Sequence, residues 1–186
     1  KLQKNIKKLF DIKSELLISE TYCEFWATIL NSSFCAFSFL TDKTNSEDFI
    51  LFVEFSVLIE KIFSLFQVVK ALDFMGLKYE TLIKKDKISE SYRNILFKEK
   101  TNFFCYYVLK FILLQYSDEF LLWCDVNNNN TLSFDTSEIL FRKFYLFIEK
   151  YHKSKFILKN FKLMEEKLLS LNKKKDKNIL KTMMMT

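Results

Sequence analysis

Apolar residues recur along most of this chain with the period of an α-helix, and the strongest such pattern lies between Ser46 and Val69. There Leu51, Phe55, Leu58, Ile62, Leu65 and Val69 follow at i, i+4, i+7, i+11, i+14 and i+18, which keeps one stripe of a helix apolar. The stripe predicts a central helix facing a core, with Phe55 and Leu58 inside it. Phe52, Val53, Val57 and Phe63 break up Glu54, Glu60, Lys61 and Gln67 on the other side, so neighbours are expected on more than one face. Two starts fit. Thr44 with Glu47 makes a capping box, and Ser46 followed by Glu47 and Asp48 is an N-cap with acids in the first turn.

Before this stretch, Leu2, Ile6, Leu9, Ile12 or Lys13, and Leu16 approximate a helical face, with Lys4, Lys7 and Lys8 away from it. This predicts a basic amphipathic helix over 1–19 packed on the rest of the domain. Phe25, Trp26, Ile29, Leu30, Phe34, Phe37 and Leu40 predict two short helices divided at Asn31, Ser32 and Ser33. After it, a loop is expected near 84–90 and a helix over 92–116. The apolar run Phe103 to Leu114, with Lys110 inside, is too short to cross a bilayer, which takes about 20 residues. Asp118 to Cys124 continues or restarts that helix, and the loop Asp125 to Ser133 ends it. Asp135 with Glu138 starts the next helix, whose face is Leu140, Phe144, Phe147, Ile148 and Tyr151. Ile157, Phe161, Met164, Leu168 and Leu171 mark the last one.

Composition strengthens the helical reading. Pro 0 and Gly 1 leave little punctuation for strands and hairpins, and Phe 22 is far above ordinary usage. The expected class is all-α, with a helical domain over 20–172 and a Lys-rich tail over 173–186. The net charge of +6 sits at the ends: residues 1–13 hold five Lys against one acid and 159–186 eight against three, so the middle is 16 minus 19, or −3. Such ends suit an acidic protein surface. Aromatics interleaved with basic residues at strand spacing are missing, so nucleic acid is not an expected partner. Cys23, Cys35, Cys105 and Cys124 form no C-x-x-C pair and His152 stands alone, so no zinc site is expected and the cysteines read as small buried apolar groups.

The loop from Asp125 resembles a calcium-binding loop only in part. Asp125, Asn127 and Asn129 fit, but Thr136 holds the twelfth place where a bidentate carboxylate belongs, and Asn130 replaces the turn glycine. No metal or cofactor is expected. A glycine-rich phosphate loop, a G-x-S-x-G element and a second histidine are all missing, so an enzyme with its own chemistry is not expected either.

Two segments carry a resemblance. Phe37-Ser38-Phe39-Leu40 followed by Ser46-Glu47-Asp48-Phe49-Ile50-Leu51-Phe52-Val53 is similar to the signature of regulator of G-protein signalling (RGS) domains, and Phe147 to Ile157 resembles a later motif of that family. The resemblance implies an RGS-like helical bundle around a central helix, joined to a terminal subdomain made from both chain ends. It also implies contact positions for a Gα subunit at Ser46, Glu47, Phe49, Tyr151 and Lys155. Only Ser46 and Glu47 keep the family residue; Phe49 replaces an Asn, Tyr151 an Asp and Lys155 an Arg. A non-catalytic RGS-like protein-interaction module in a larger chain or assembly is therefore the leading expectation. GTPase activation on Gα is the alternative, and a helical subunit of a cytoskeletal or membrane-bound complex comes third. The expected location is the cytoplasm, free or peripheral to a membrane or cytoskeleton.

Overall fold

The computed structural model describes residues 2–13, 16–99, 101–128, 132–133 and 137–173, with backbone alone at 2–5 and 172–173. Among these the regular structure is entirely helical, so the protein is an all-α bundle. The order is α1 (Leu2–Phe10), α2 (Ile18–Phe39), α3 (Ser46–Phe74), α4 (Tyr79–Ile83), α5 (Lys87–Leu96), a π-helical turn (Phe104–Leu109) running into α6 (Lys110–Gln115), α7 (Ser117–Asn127), α8 (Glu138–Tyr151) and α9 (Lys155–Lys173). The expected helix start at Asp135, the loop positions Asn129, Asn130 and Thr136, and the tail beyond Lys173 lie outside the described residues.

The centre of the bundle is the π-helical turn with α6. Phe104, Cys105, Val108, Phe111, Ile112 and Leu114 expose no surface, because α2 and α3 pack on this segment and α8 packs on α6. A helix that is apolar all round must be covered all round. Lys110 is its one charge. Burial pushes that ammonium's pKa down, while Glu24 of α2 and Glu60 of α3 pull it back up.

α1 and α9 both pack on this centre. Phe10 of α1 sets its ring edge-on to Phe104 at 4.8 Å and to His152 at 5.4 Å. Tyr79 stacks on Phe161 at 3.8 Å and donates its hydroxyl to the His152 carbonyl at 2.6 Å, tying α4 to the α8–α9 turn and to α9. Phe144, Phe147 and Ile148 bury the predicted face of α8, and Ile157, Phe161 and Leu168 that of α9.

The central helix is longer than its pattern predicts, and its start differs. Asn45, neither Thr44 nor Ser46, is the N-cap, and its side chain accepts from the Glu47 and Asp48 amides. Thr44 is occupied by Asp42, whose Oδ1 accepts both its N–H and its hydroxyl. At the other end Gly76 has φ +72, Leu77 N–H bonds back to the Leu72 carbonyl and Gly76 N–H to that of Asp73. This is the left-handed stop for which a glycine is suited.

Other expectations also change. Residues 18–39 form one helix, because Ser33 returns its hydroxyl to the Ile29 carbonyl and Ser32 is buried, so the polar triplet breaks nothing. The loop expected at 84–90 is short, since Asp86 accepts from the Ser89 amide and starts α5. The helix expected over 92–116 is interrupted after Leu96. Cys105 and Cys124 are buried, but Cys23 and Cys35 are exposed. Most consequential, the stripe of α3 is only half in the core: Leu65 and Val69 are buried, while Leu51, Phe55, Leu58 and Ile62 are all exposed, Phe55 by 60 % and Leu58 by 52 %. The pattern is helical, but its first four positions look outward.

Candidate interaction surface

The outward stripe belongs to a helical hairpin. α2 and α3 are joined by residues 40–45, and Lys43 closes the end of α2 by donating to the Phe37 and Ser38 carbonyls. Hydrogen bonds from Thr44 hold the Asp42 carboxyl below its ordinary pKa, so the tip stays ionised. The inner face is ordinary packing: Phe25, Ile29, Ser32 and Ala36 of α2, and Val57, Ser64, Leu65 and Val68 of α3.

Both outer faces are apolar as well. On α3 they carry Leu51, Phe52, Phe55, Leu58, Ile59, Ile62 and Phe63, with no charged residue among them. On α2, Leu30, Phe34 and Phe37 repeat at i, i+4 and i+7, and Phe34 is 70 % exposed. Single exposed apolar side chains are normal, but seven large ones that share one face of α3 form a patch of the kind that marks an interaction site. The charges lie at the tip and along one flank, as Asp42, Glu47, Asp48 and Glu54 against Lys43 and Lys61. An apolar groove of about 440 Å³, lined by Ile59, Ile62, Phe63, Phe66 and Met164, ends the patch where α9 meets α3.

The positions implied by the family resemblance fall in two groups. Ser46 and Glu47 are exposed in the first turn of α3, and Phe49 is half-buried with its ring edge toward Phe37 at 6.5 Å. Tyr151 is half-buried and stacked on Tyr116 at 3.9 Å, and Lys155 is exposed at the start of α9. Among the described residues no hydrogen bond, ion pair or ring contact joins the first group to the second. The apolar face beside the first group had a sequence signal, the stripe of Leu51, Phe55, Leu58 and Ile62 itself, but periodicity alone does not say whether such a stripe is covered.

The remaining polar clusters are structural. Arg93 is buried, and its guanidinium donates to the Thr81 and Lys84 carbonyls at 2.7 and 2.6 Å and pairs with Asp11 at 2.7 Å. A groove of about 540 Å³ beside Tyr79 and Phe161 carries Lys78, Lys84, Lys153 and Lys162, but Lys84 pairs with Glu80 and Lys78 with Glu165. Among the described residues no three His, Cys, Asp or Glu side chains gather where they could hold a metal, and no helix is long and apolar enough to cross a membrane.

His152 gives the fold a pH dependence. Its Nδ1 lies 2.9 Å from the Glu149 carbonyl and 3.1 Å from that of Ile148, which makes Nδ1 the protonated nitrogen. Burial pushes its pKa below the ordinary 6.5, so the folded state prefers the neutral ring. The unfolded chain takes up the proton first as pH drops, and stability therefore falls as pH is lowered through the unfolded value. Thermal melts at about pH 7.5 and 5.5 should show this loss, and His152→Gln should flatten it. An equal loss in the variant would assign the effect to other groups.

Comparison with known proteins adds no relative: no protein-family profile, no curated protein and no solved structure matches this chain.

Proposed function

We propose that the chain is a non-catalytic, RGS-like helical module that works by binding another protein, and that it binds through the outer faces of the α2–α3 hairpin. The observation that carries this reading is the stripe of α3, helical in period and apolar in content, yet exposed from Leu51 to Ile62. Acids at the tip and along the flank favour a protein partner over an anionic lipid surface, which would repel Asp42, Glu47, Asp48 and Glu54. The family's polar contacts with Gα are not available in the same form. Phe49 and Tyr151 offer aromatic rings already engaged with Phe37 and Tyr116, and Lys155 offers a point charge instead of a planar fork.

Single-turnover GTP hydrolysis by a Gα subunit should thus be unchanged by excess domain. Losing such contacts at a desolvated centre commonly costs about 2 kcal/mol each, roughly thirtyfold apiece. A tenfold or larger acceleration that Glu47→Lys abolishes would replace this reading with GTPase activation.

A further inference from the structure

The outer face of α3 is written in heptads. With Phe55 and Ile62 at the a positions, Leu51 and Leu58 fall at d and Phe52 and Ile59 at e, while Glu47, Glu54 and Lys61 form the g flank. All six apolar side chains are exposed. An a, d and e face is the width with which a helix packs in a bundle. The same spacing continues through Leu65 and Val69, but there it is buried, and α9 lies over this half of α3 with Leu168 and Leu169 beside Val69. The fold covers the far half of the seam with its own helix and leaves the near half open.

Resting on the docking reading above, we infer that the open half is occupied by the same seam of a second copy, packed antiparallel. The order of layers accommodates it. Read from Leu51 the layers run d, a, d, a and read from Ile62 they run a, d, a, d, so an antiparallel second copy faces every d with an a: Leu51 lies opposite Ile62 and Phe55 opposite Leu58, twice over by symmetry, across about 17 Å. Charge decides the direction. Antiparallel packing lays g flank against g flank and brings Glu54 beside Lys61 of the second copy, and Lys61 beside its Glu54. Parallel packing would instead set g against e, pressing Glu54 onto Ile59 and Glu47 onto Phe52, which strips carboxylates of water and gives them no partner.

The base of the seam fits the same register. The apolar groove lined by Ile59, Ile62, Phe63, Phe66 and Met164 lies on the e side of the seam, at the height where Leu51 and Phe52 of the second copy arrive. The six large side chains of the seam, each about half exposed, offer on the order of 500 Å² per copy, or roughly 1,000 Å² in all, the lower end for a specific interface.

Analytical ultracentrifugation of the full chain tests this over a micromolar concentration series, under reducing conditions because Cys23 and Cys35 are exposed. The expected result is a reversible monomer–dimer equilibrium that Leu58→Glu weakens at least tenfold, roughly, without lowering the melting temperature of the monomer. Glu54→Lys and Lys61→Glu should each weaken it about threefold to tenfold by setting like charges opposite, and the two together should restore it to within about twofold. A chain that stays monomeric, a dimer indifferent to Leu58→Glu, or a double reversal no better than the singles would overturn the inference. A monomer that still forms cross-links to other proteins from Phe34 and Phe55 overturns the second copy alone; a monomer that forms none overturns the docking reading beneath it.

Discussion

Phe120→Ala should cost about 3 to 5 kcal/mol of stability, whereas Phe55→Ala should cost about 0.5 kcal/mol or less in the monomer. Both are phenylalanines in helices, and burial separates them. Phe120 exposes nothing and packs its ring against Phe25 at 4.8 Å, Phe147 at 5.1 Å and Trp123 at 5.3 Å. Removing it empties a site that α2, α7 and α8 line together, and a rigid wall of aromatic rings collapses poorly into the gap. Phe55 has no such wall. Chemical denaturation of dilute protein reads both values, and a loss at Phe55 that approached the loss at Phe120 would place the outer face of α3 in the core.

Arg93→Met should be the most damaging loss of a charge, at about 3 kcal/mol or more. The guanidinium is buried, and it is the shared donor for the Thr81, Lys84 and Asp11 carbonyls, holding the end of α4 and the segment after α1 against α5. A methionine fills part of the volume and leaves those oxygens without their donor. The Asp11 carboxylate is half exposed, so Asp11→Asn should cost far less, about 1 kcal/mol or below, because water takes over the lost contact. Lysine at 93 should recover only a part, since one ammonium cannot serve all three carbonyls as the planar fork does. Urea denaturation of the three variants checks the order; equal losses in Arg93→Met and Asp11→Asn would show that the ion pair, and not the carbonyl cluster, holds the junction.

How much of this was legible in the sequence follows from what periodicity encodes. Helical spacing located α3, α8 and α9 because each has a strong stripe with polar residues beside it. It failed at Asn31, Ser32 and Ser33, where the Ser33 hydroxyl folds back onto the Ile29 carbonyl and leaves the backbone unbroken. It also could not rank two apolar segments by depth. Ser46 to Val69 has the cleaner stripe, yet Phe103 to Leu114 is the centre, because a segment covered on every side loses its stripe as its polar positions vanish. Which half of the α3 stripe was covered depended on where α9 crosses, a tertiary fact with no local signal. Arg93 gave no signal either: its partners lie on two separate segments, and two of its acceptors are backbone carbonyls of α4 and its cap.

Site-specific photo-cross-linking in cells tests the central claim most directly. A photoreactive side chain is placed at Phe34 or Phe55 on the hairpin, and at Ile95 or Ile139, which are as exposed but lie on α5 and α8. If the outer faces of the hairpin are the docking surface, discrete adducts form from positions 34 and 55 and not from 95 and 139. Adducts from 95 and 139 with none from the hairpin, or none from any position, would contradict the account.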